Sequence, residues 1–170
     1  MRTLLSNFYK LLVVLSALSM VAAFVTVILS IASRELGFNI RGLDAYAGFS
    51  IAAALFLALP ETLRRGDHIR VTLLLQKASP ALRNALEYFS LASAFGLSVY
   101  LAFFSCKLVY VSNITNDVSQ SADATPLWIP QITMALGCIG LAVAFGDALM
   151  ARMQNREFFP AATDEAAHVE

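Results

Sequence analysis

Residues 11–33 read LLVVLSALSMVAAFVTVILSIAS, an apolar stretch without a single charge that is bounded by Lys10 and Arg34. A helix needs about 20 apolar residues to cross the hydrocarbon core of a bilayer. An open strand would leave its backbone polar groups without partners in lipid, so a stretch of this kind predicts a transmembrane helix.

Three further apolar segments follow at about residues 43–63, 88–110 and 126–148. The chain is 58% hydrophobic, with a mean hydropathy of +0.68, which exceeds what a soluble domain of this size carries. We therefore predict an all-α membrane protein with four transmembrane helices. One domain would cover residues 1–157, and residues 158–170 would form a disordered cytoplasmic tail.

The basic residues fall in alternate gaps between these segments. If all four segments cross, nine of the twelve basic residues share one side, and Arg34, Arg41 and Lys107 lie on the other. The positive-inside rule then predicts that both termini are cytoplasmic. Two alternatives are weaker. A nucleic-acid-binding patch fits poorly because the arginines follow membrane boundaries and are mixed with acids. A cleaved signal peptide fits poorly because the apolar stretch 11–33 is longer than the core of a typical signal peptide. Arg34 also follows it directly, as a basic residue follows a stop-transfer segment.

The connection between the second and third segments has an amphipathic pattern at about residues 67–86. Its apolar residues are too few and too interrupted to span a bilayer. They predict one or two short helices in the cytoplasmic interface, broken around Ser79 and Pro80. The interspersed bases favour anionic lipid headgroups.

Small residues recur every four positions in the second segment, at Ser50, Ala54 and Ala58, and again at Gly48 and Ala52. This spacing lets membrane helices approach closely. The contact could lie within this chain or with another subunit, and the sequence does not separate the two. A similar series, Gly140, Ala144 and Ala148, follows in the fourth segment. Trp128 at that segment's start is typical of an interfacial anchor.

The interiors of the four segments contain no Asp, Glu, Lys, Arg or His. Transporters that work alone usually place ionisable groups there.

The only histidines are His68 and His168. A hydrogen bond from His68 to backbone at a turn is favoured over a metal role, because no second ligand is near. We therefore predict no catalytic, metal or cofactor site in this chain, no enzyme activity and no nucleic-acid partner. A self-sufficient small transporter acting as a homodimer is the alternative, and a membrane redox or transfer enzyme fits less well because haem ligands and a nucleophile are missing.

Residues 44–75, DAYAGFSIAAALFLALPETLRRGDHIRVTLLL, resemble the small membrane subunit of tripartite ATP-independent periplasmic (TRAP) transporters, the DctQ-like family. In that pattern an acidic residue opens the second span, and Asp44 stands where Glu is usual. The turn from Arg65 to Val71 supplies the basic-Gly-x-His-Ile-x-Val motif. Arg34 and the sequence TPLWIP at residues 125–130 also fit, and the resemblance covers about residues 10 to 150.

The resemblance implies a three-part uptake system in the inner membrane of a bacterium. A periplasmic substrate-binding protein captures a small organic acid, commonly a carboxylate or sialic acid. A large permease subunit holds the substrate and sodium sites, and the small subunit pairs with it as a scaffold. Candidate contacts with that subunit or with membrane phospholipids lie at helix ends, where ordinary flanking charge is the alternative: Arg34, Glu35, Asp44, Arg64, Arg65, His68 and Arg70.

Overall fold

Four long helices make up the computed structural model, which describes residues 2–38, 40–65, 79–121 and 123–154. Helix α1 covers Arg2–Glu35, α2 Leu43–Arg65, α3 Pro80–Ile114 and α4 Trp128–Met153. Each is long and apolar enough to cross a membrane. Within these described ranges the only extended pairing is an isolated bridge between Val118 and Pro126. The predicted all-α membrane fold with four spanning helices is confirmed.

The start of α3 differs from the predicted interfacial segment. Ser79 caps the helix by accepting a hydrogen bond from the Leu82 amide at 3.4 Å, and Pro80 occupies the first turn. Proline is favoured there because its missing N–H is not needed. The helix then continues without a break to Ile114, so residues 80–86 are the first turns of α3 and not a separate helix. The remainder of that predicted segment, residues 67–78, and the tail at 158–170 lie outside the described residues.

Pro60 lies inside α2 and does not end it. The helix runs on to Arg65, and Pro60 is fully buried inside it. A proline costs a helix one backbone hydrogen bond and crowds the preceding turn. Glu61 pairs with Arg64 and Arg65 across the last turn, which helps the helix continue.

The helices pack in the spatial order α1, α2, α4, α3, as a row with α2 and α4 inside. Helices α1 and α2 form an antiparallel hairpin, in which Ser16 Oγ donates to the Ala54 carbonyl at 2.8 Å. Helices α3 and α4 form a second hairpin, with Ser105 Oγ 3.5 Å from Cys138 Sγ. The two hairpins join through α2 and α4, which run in the same direction.

Glycines on α4 set how closely α2 and α4 approach. A Cβ atom on Gly137 would collide with the Phe56 carbonyl oxygen, and one on Gly140 would lie 2.7 Å from Pro60 Cγ. Small residues of this kind are what membrane helices use to bring backbones together. Hence the α2–α4 contact depends on these two positions having no side chain.

The row has two polar ends. The "terminal end" holds the start of α1, the end of α2, the start of α3 and the end of α4, and it is marked by Tyr9, Arg64, Glu87 and Arg152. The "loop end" holds the α1–α2 and α3–α4 connections, which meet at Gly42 and Asp123. Both described chain termini therefore lie at the terminal end.

Candidate functional site

At the loop end, Arg34 and Asp44 are bonded to each other. The Arg34 Nη2 atom lies 2.8 Å and 3.1 Å from the two carboxylate oxygens of Asp44, and Ser30 Oγ donates to the same carboxylate at 2.8 Å. The two side chains remain 70% and 75% exposed. This pair ties α1 to α2 while leaving its outer side open, and Glu35 beside it is also exposed.

The α3–α4 connection packs onto the α1–α2 turn. Gly42 has a φ of +85°, and a Cβ on it would lie 2.7 Å from Asp123 Cγ, so this turn requires glycine on both counts. Thr125 Oγ1 lies 3.1 Å from the Tyr46 hydroxyl. Hydrogen bonds from the hydroxyls of Ser121 and Thr125 hold the pKa of Asp123 at about 2, below its usual value.

At the terminal end, Glu61 joins two arginines on α2. Its carboxylate accepts from Arg64 Nη1 at 3.1 Å and from Arg65 Nε at 3.2 Å. The Arg64 guanidinium also lies 4.6 Å from the centre of the Tyr9 ring. Tyr9 is 2% exposed, and its hydroxyl has no hydrogen-bond partner among the described residues. Arg64 therefore fixes the start of α1 against the end of α2.

A matching cluster holds α3 to α4. Arg152 Nη2 lies 2.7 Å from Glu87 and 2.8 Å from Asn84, and the Tyr88 hydroxyl donates to the Arg152 carbonyl at 3.3 Å. Sequence reasoning did not select Arg152 or Glu87 as site residues. Their opposite signs, at the end of the fourth span and the start of the third, are the signal that would have paired them.

The small residues of α2 face two different environments. Ala54 is buried against α1, and Ser50 and Ala58 are partly buried with it, so this series packs largely within the chain. Gly48 and Ala52 lie on the exposed face instead, and a Cβ on Gly48 would meet nothing within 4 Å. The sequence left open whether these small residues contact a helix of this chain or another subunit. For Ala54 the contact is with α1 of this chain.

Trp128 is the first residue of α4 and is partly buried. His68 and Arg70 lie outside the described residues, so the structure says nothing of their contacts. In the ranges that are described, no three His, Cys, Asp or Glu side chains come together as a metal-binding group would require. The described charged residues among the predicted sites thus lie at the two ends of the row, where Arg34–Asp44 joins α1 to α2 and Glu61 bonds Arg64 and Arg65 within α2.

Residues 23–155 match the family model for the DctQ component of tripartite ATP-independent periplasmic transporters. None of the curated proteins compared with the chain matches it. The family match covers more than half of the chain and includes parts of all four apolar helices. This chain therefore belongs to the DctQ family, as a multi-pass transporter subunit of the inner membrane and not an enzyme.

Proposed function

We propose that this chain is the static small subunit of a sodium-coupled TRAP transporter for a small organic acid, a carboxylate or a sialic acid. It pairs with a large permease subunit that carries the substrate and sodium sites, and a periplasmic substrate-binding protein delivers the substrate. The family match supports the subunit role. Sodium coupling and the class of substrate rest on the resemblance of residues 44–75 to the family pattern.

The observation that carries the static role is where the charged clusters lie. The pairs Arg34–Asp44, Glu61–Arg64 and Glu87–Arg152 sit at the ends of the row, and the first and third each join two helices. Moving one helix past its neighbour would break such bonds. A subunit built this way can brace a moving partner, whereas pumps and transporters that work alone usually place titratable groups inside the membrane.

The orientation follows from the charge asymmetry of the sequence. With nine of twelve basic residues on one side, the terminal end faces the cytoplasm and the loop end faces the periplasm. The exposed groups at the terminal end, with His68 and Arg70, then contact the permease or lipid headgroups from the cytoplasmic side. Trp128 anchors α4 at the opposite interface.

Co-purification tests the subunit role. The full chain carries an affinity tag and is extracted from its native membrane in mild detergent. We expect a much larger multi-span membrane protein to accompany it, and we expect substrate uptake in liposomes only when that protein and the binding protein are also present. Uptake by the purified chain alone would contradict the proposal and favour a homodimeric transporter.

Labelling with a membrane-impermeant thiol reagent tests the orientation. In a Cys106→Ala background, which removes the exposed native thiol, Ser119→Cys at the loop end should react from outside intact spheroplasts. Gln154→Cys at the terminal end should react only after lysis. The reverse pattern would place the termini in the periplasm.

A further inference from the structure

Two buried polar atoms on α3 and α4 have no hydrogen-bond partner, and both lie near the loop end. Ser112 is 0% exposed, and its hydroxyl forms no hydrogen bond within the part of the chain that the structure describes. The same holds for the Oε1 atom of Gln131 on α4. A buried polar group without a partner costs free energy, so each atom needs a partner that the described residues do not supply.

The register of the α3–α4 hairpin places these two residues opposite each other. Ser105 Oγ lies 3.5 Å from Cys138 Sγ, which sets the register at one level of the contact. Ser112 lies seven residues after Ser105, and Gln131 lies seven residues before Cys138. Seven residues are about two helical turns, so both steps keep the same helix face and lead about 10 Å towards the loop end. Ser112 and Gln131 therefore face each other at the next level of the contact.

The Ser112 hydroxyl does not use the acceptor that its own helix offers. A serine or threonine in a helix commonly donates to a carbonyl of the preceding turn. On α3, Ser98 donates to the Phe95 carbonyl at 2.8 Å, and Thr115, which caps the helix, donates to the Val111 carbonyl at 2.8 Å. Ser112 lies between them and makes no such bond. Its hydroxyl is therefore available to a group that lies between the two helices.

The α3–α4 connection closes this level from the loop end. The Asp117 amide donates to the Ser112 carbonyl at 3.0 Å, and the Leu127 amide donates to the Asp117 carbonyl at 2.9 Å. Val118 and Pro126 pair in the bridge between the two arms of the connection. These bonds hold the connection over the last turn of α3, where Ser112 is completely buried. A group that reaches the Ser112 hydroxyl must therefore be small.

Water fits these constraints. One water molecule can accept from a hydroxyl and donate to an amide oxygen at once, and buried waters bond to polar groups that are otherwise unpaired. We infer that one buried water molecule binds between Ser112 Oγ and Gln131 Oε1 and holds α3 to α4 near the loop end. An apolar occupant would leave both atoms unpaired. This bridge belongs to the packing of α3 on α4, and it does not depend on the proposed transport function.

A double-mutant cycle tests whether Ser112 and Gln131 are linked. The unfolding equilibrium constant of the full chain is measured in mixed micelles for the wild type, Ser112→Ala, Gln131→Met and the double variant. We expect the effect of Ser112→Ala to be smaller by about threefold or more in the Gln131→Met background, as for residues that share one hydrogen-bond network. Equal effects in the two backgrounds would overturn the inference.

Ser98→Ala is the matched control for the cycle. Ser98 is 2% exposed on the same helix, and its hydroxyl is bonded within that helix. Its effect on the unfolding constant should be the same with Gln131 and with Gln131→Met. A coupling as large as that of Ser112→Ala would mean that Gln131→Met disturbs α3 as a whole, which would also overturn the inference.

A high-resolution structure of the assembled transporter distinguishes a bridging water from a direct bond, and it decides the matter should Gln131→Met fail to fold. We expect density for one water within about 3.2 Å of both Ser112 Oγ and Gln131 Oε1. A direct bond between the two side chains, a side chain of another subunit bonded to either atom, or a space without water between them would overturn the inference.

Discussion

Helices α1 and α2, at the edge and inside the row, differ in a way that reverses the rule for soluble proteins. In the most apolar stretch of each helix, 33% of the residues of α2 and α4 are buried, against 11% for α1 and α3. Yet α1 is the most apolar of the four and α2 the least. The most hydrophobic helix is therefore at the edge of the row, and the least hydrophobic is inside.

Residue size accounts for the difference. The buried positions of α4 are small: Ala135, Gly137, Cys138, Gly140, Ala144 and Ala148. The outer helices instead expose large side chains such as Phe24, Phe89 and Phe103. Lipid is as apolar as leucine, so hydrophobicity cannot decide which helices meet, and close packing of small residues does.

The comparison fails if side-chain size matters equally at an inner and an outer helix. We predict that Gly137→Val costs about 3 kcal/mol, because its Cβ would collide with the Phe56 backbone and overpacking of a tight contact costs roughly that much. Gly96→Val on α3 places the same side chain in open space and should cost less than about 1 kcal/mol. Reversible unfolding in mixed micelles measures both losses of unfolding free energy. Equal losses would show that the inner and outer helices do not differ in their tolerance of side-chain size.

The next largest loss of stability should come from removing the polar bonds that hold an outer helix to an inner one. Arg152→Ala removes the bonds that hold Glu87 and Asn84 of α3 to α4, and we expect a loss of about 2 kcal/mol. Arg65→Ala is the control, because Arg65 is exposed and bonded within its own helix, where such pairs are worth about 0.5 kcal/mol. The unfolding assay compares the two variants. A larger loss in Arg65→Ala would mean that the α3–α4 contact does not depend on its polar end.

The tie between α1 and α2 at the loop end should matter less. Asp44→Asn weakens an ion pair that is at least 70% exposed, so the cost should be about 0.5 kcal/mol and should vanish in high salt. Unfolding at low and high ionic strength measures it. A loss that persists unchanged in 1 M salt would show that this pair stabilises the hairpin by more than an exposed ion pair can.

The smallest effect is a pH response of the α3–α4 connection. The pKa of Asp123 is about 2 in the fold and near its usual value when unfolded, so its bonds stabilise the connection above about pH 4. That contribution is lost as the pH falls towards 2. The Ser119 amide donates to the Thr125 carbonyl, and its protection from exchange should fall over this window in the wild type but not in Asp123→Asn. An identical fall in the variant would assign the response to another group.

Much of the fold is predictable from sequence, because a charge-free stretch of membrane length can only form a transmembrane helix and the chain has four of them. The series Gly140, Ala144 and Ala148 also identifies a packing face, and the latter two are 0% and 1% exposed. The order of the helices in the row is not predictable, since apolarity does not follow burial: the outer helix α1 is more apolar than α2, whereas the outer helix α3 is less apolar than α4. Neither is the pairing of Arg34 with Asp44, because residues ten apart in sequence meet only once the α1–α2 turn has formed.

The central claim is that this row stays fixed while its partner moves. Spin labels on exposed positions of the two outer helices, Leu18→Cys on α1 and Leu97→Cys on α3, would report the width of the row by pulsed electron resonance. Both native cysteines would be replaced by alanine in the assembled transporter. We predict the same distance with and without sodium and substrate. A shift of about 5 Å, one helical turn, on adding either ligand would contradict the account.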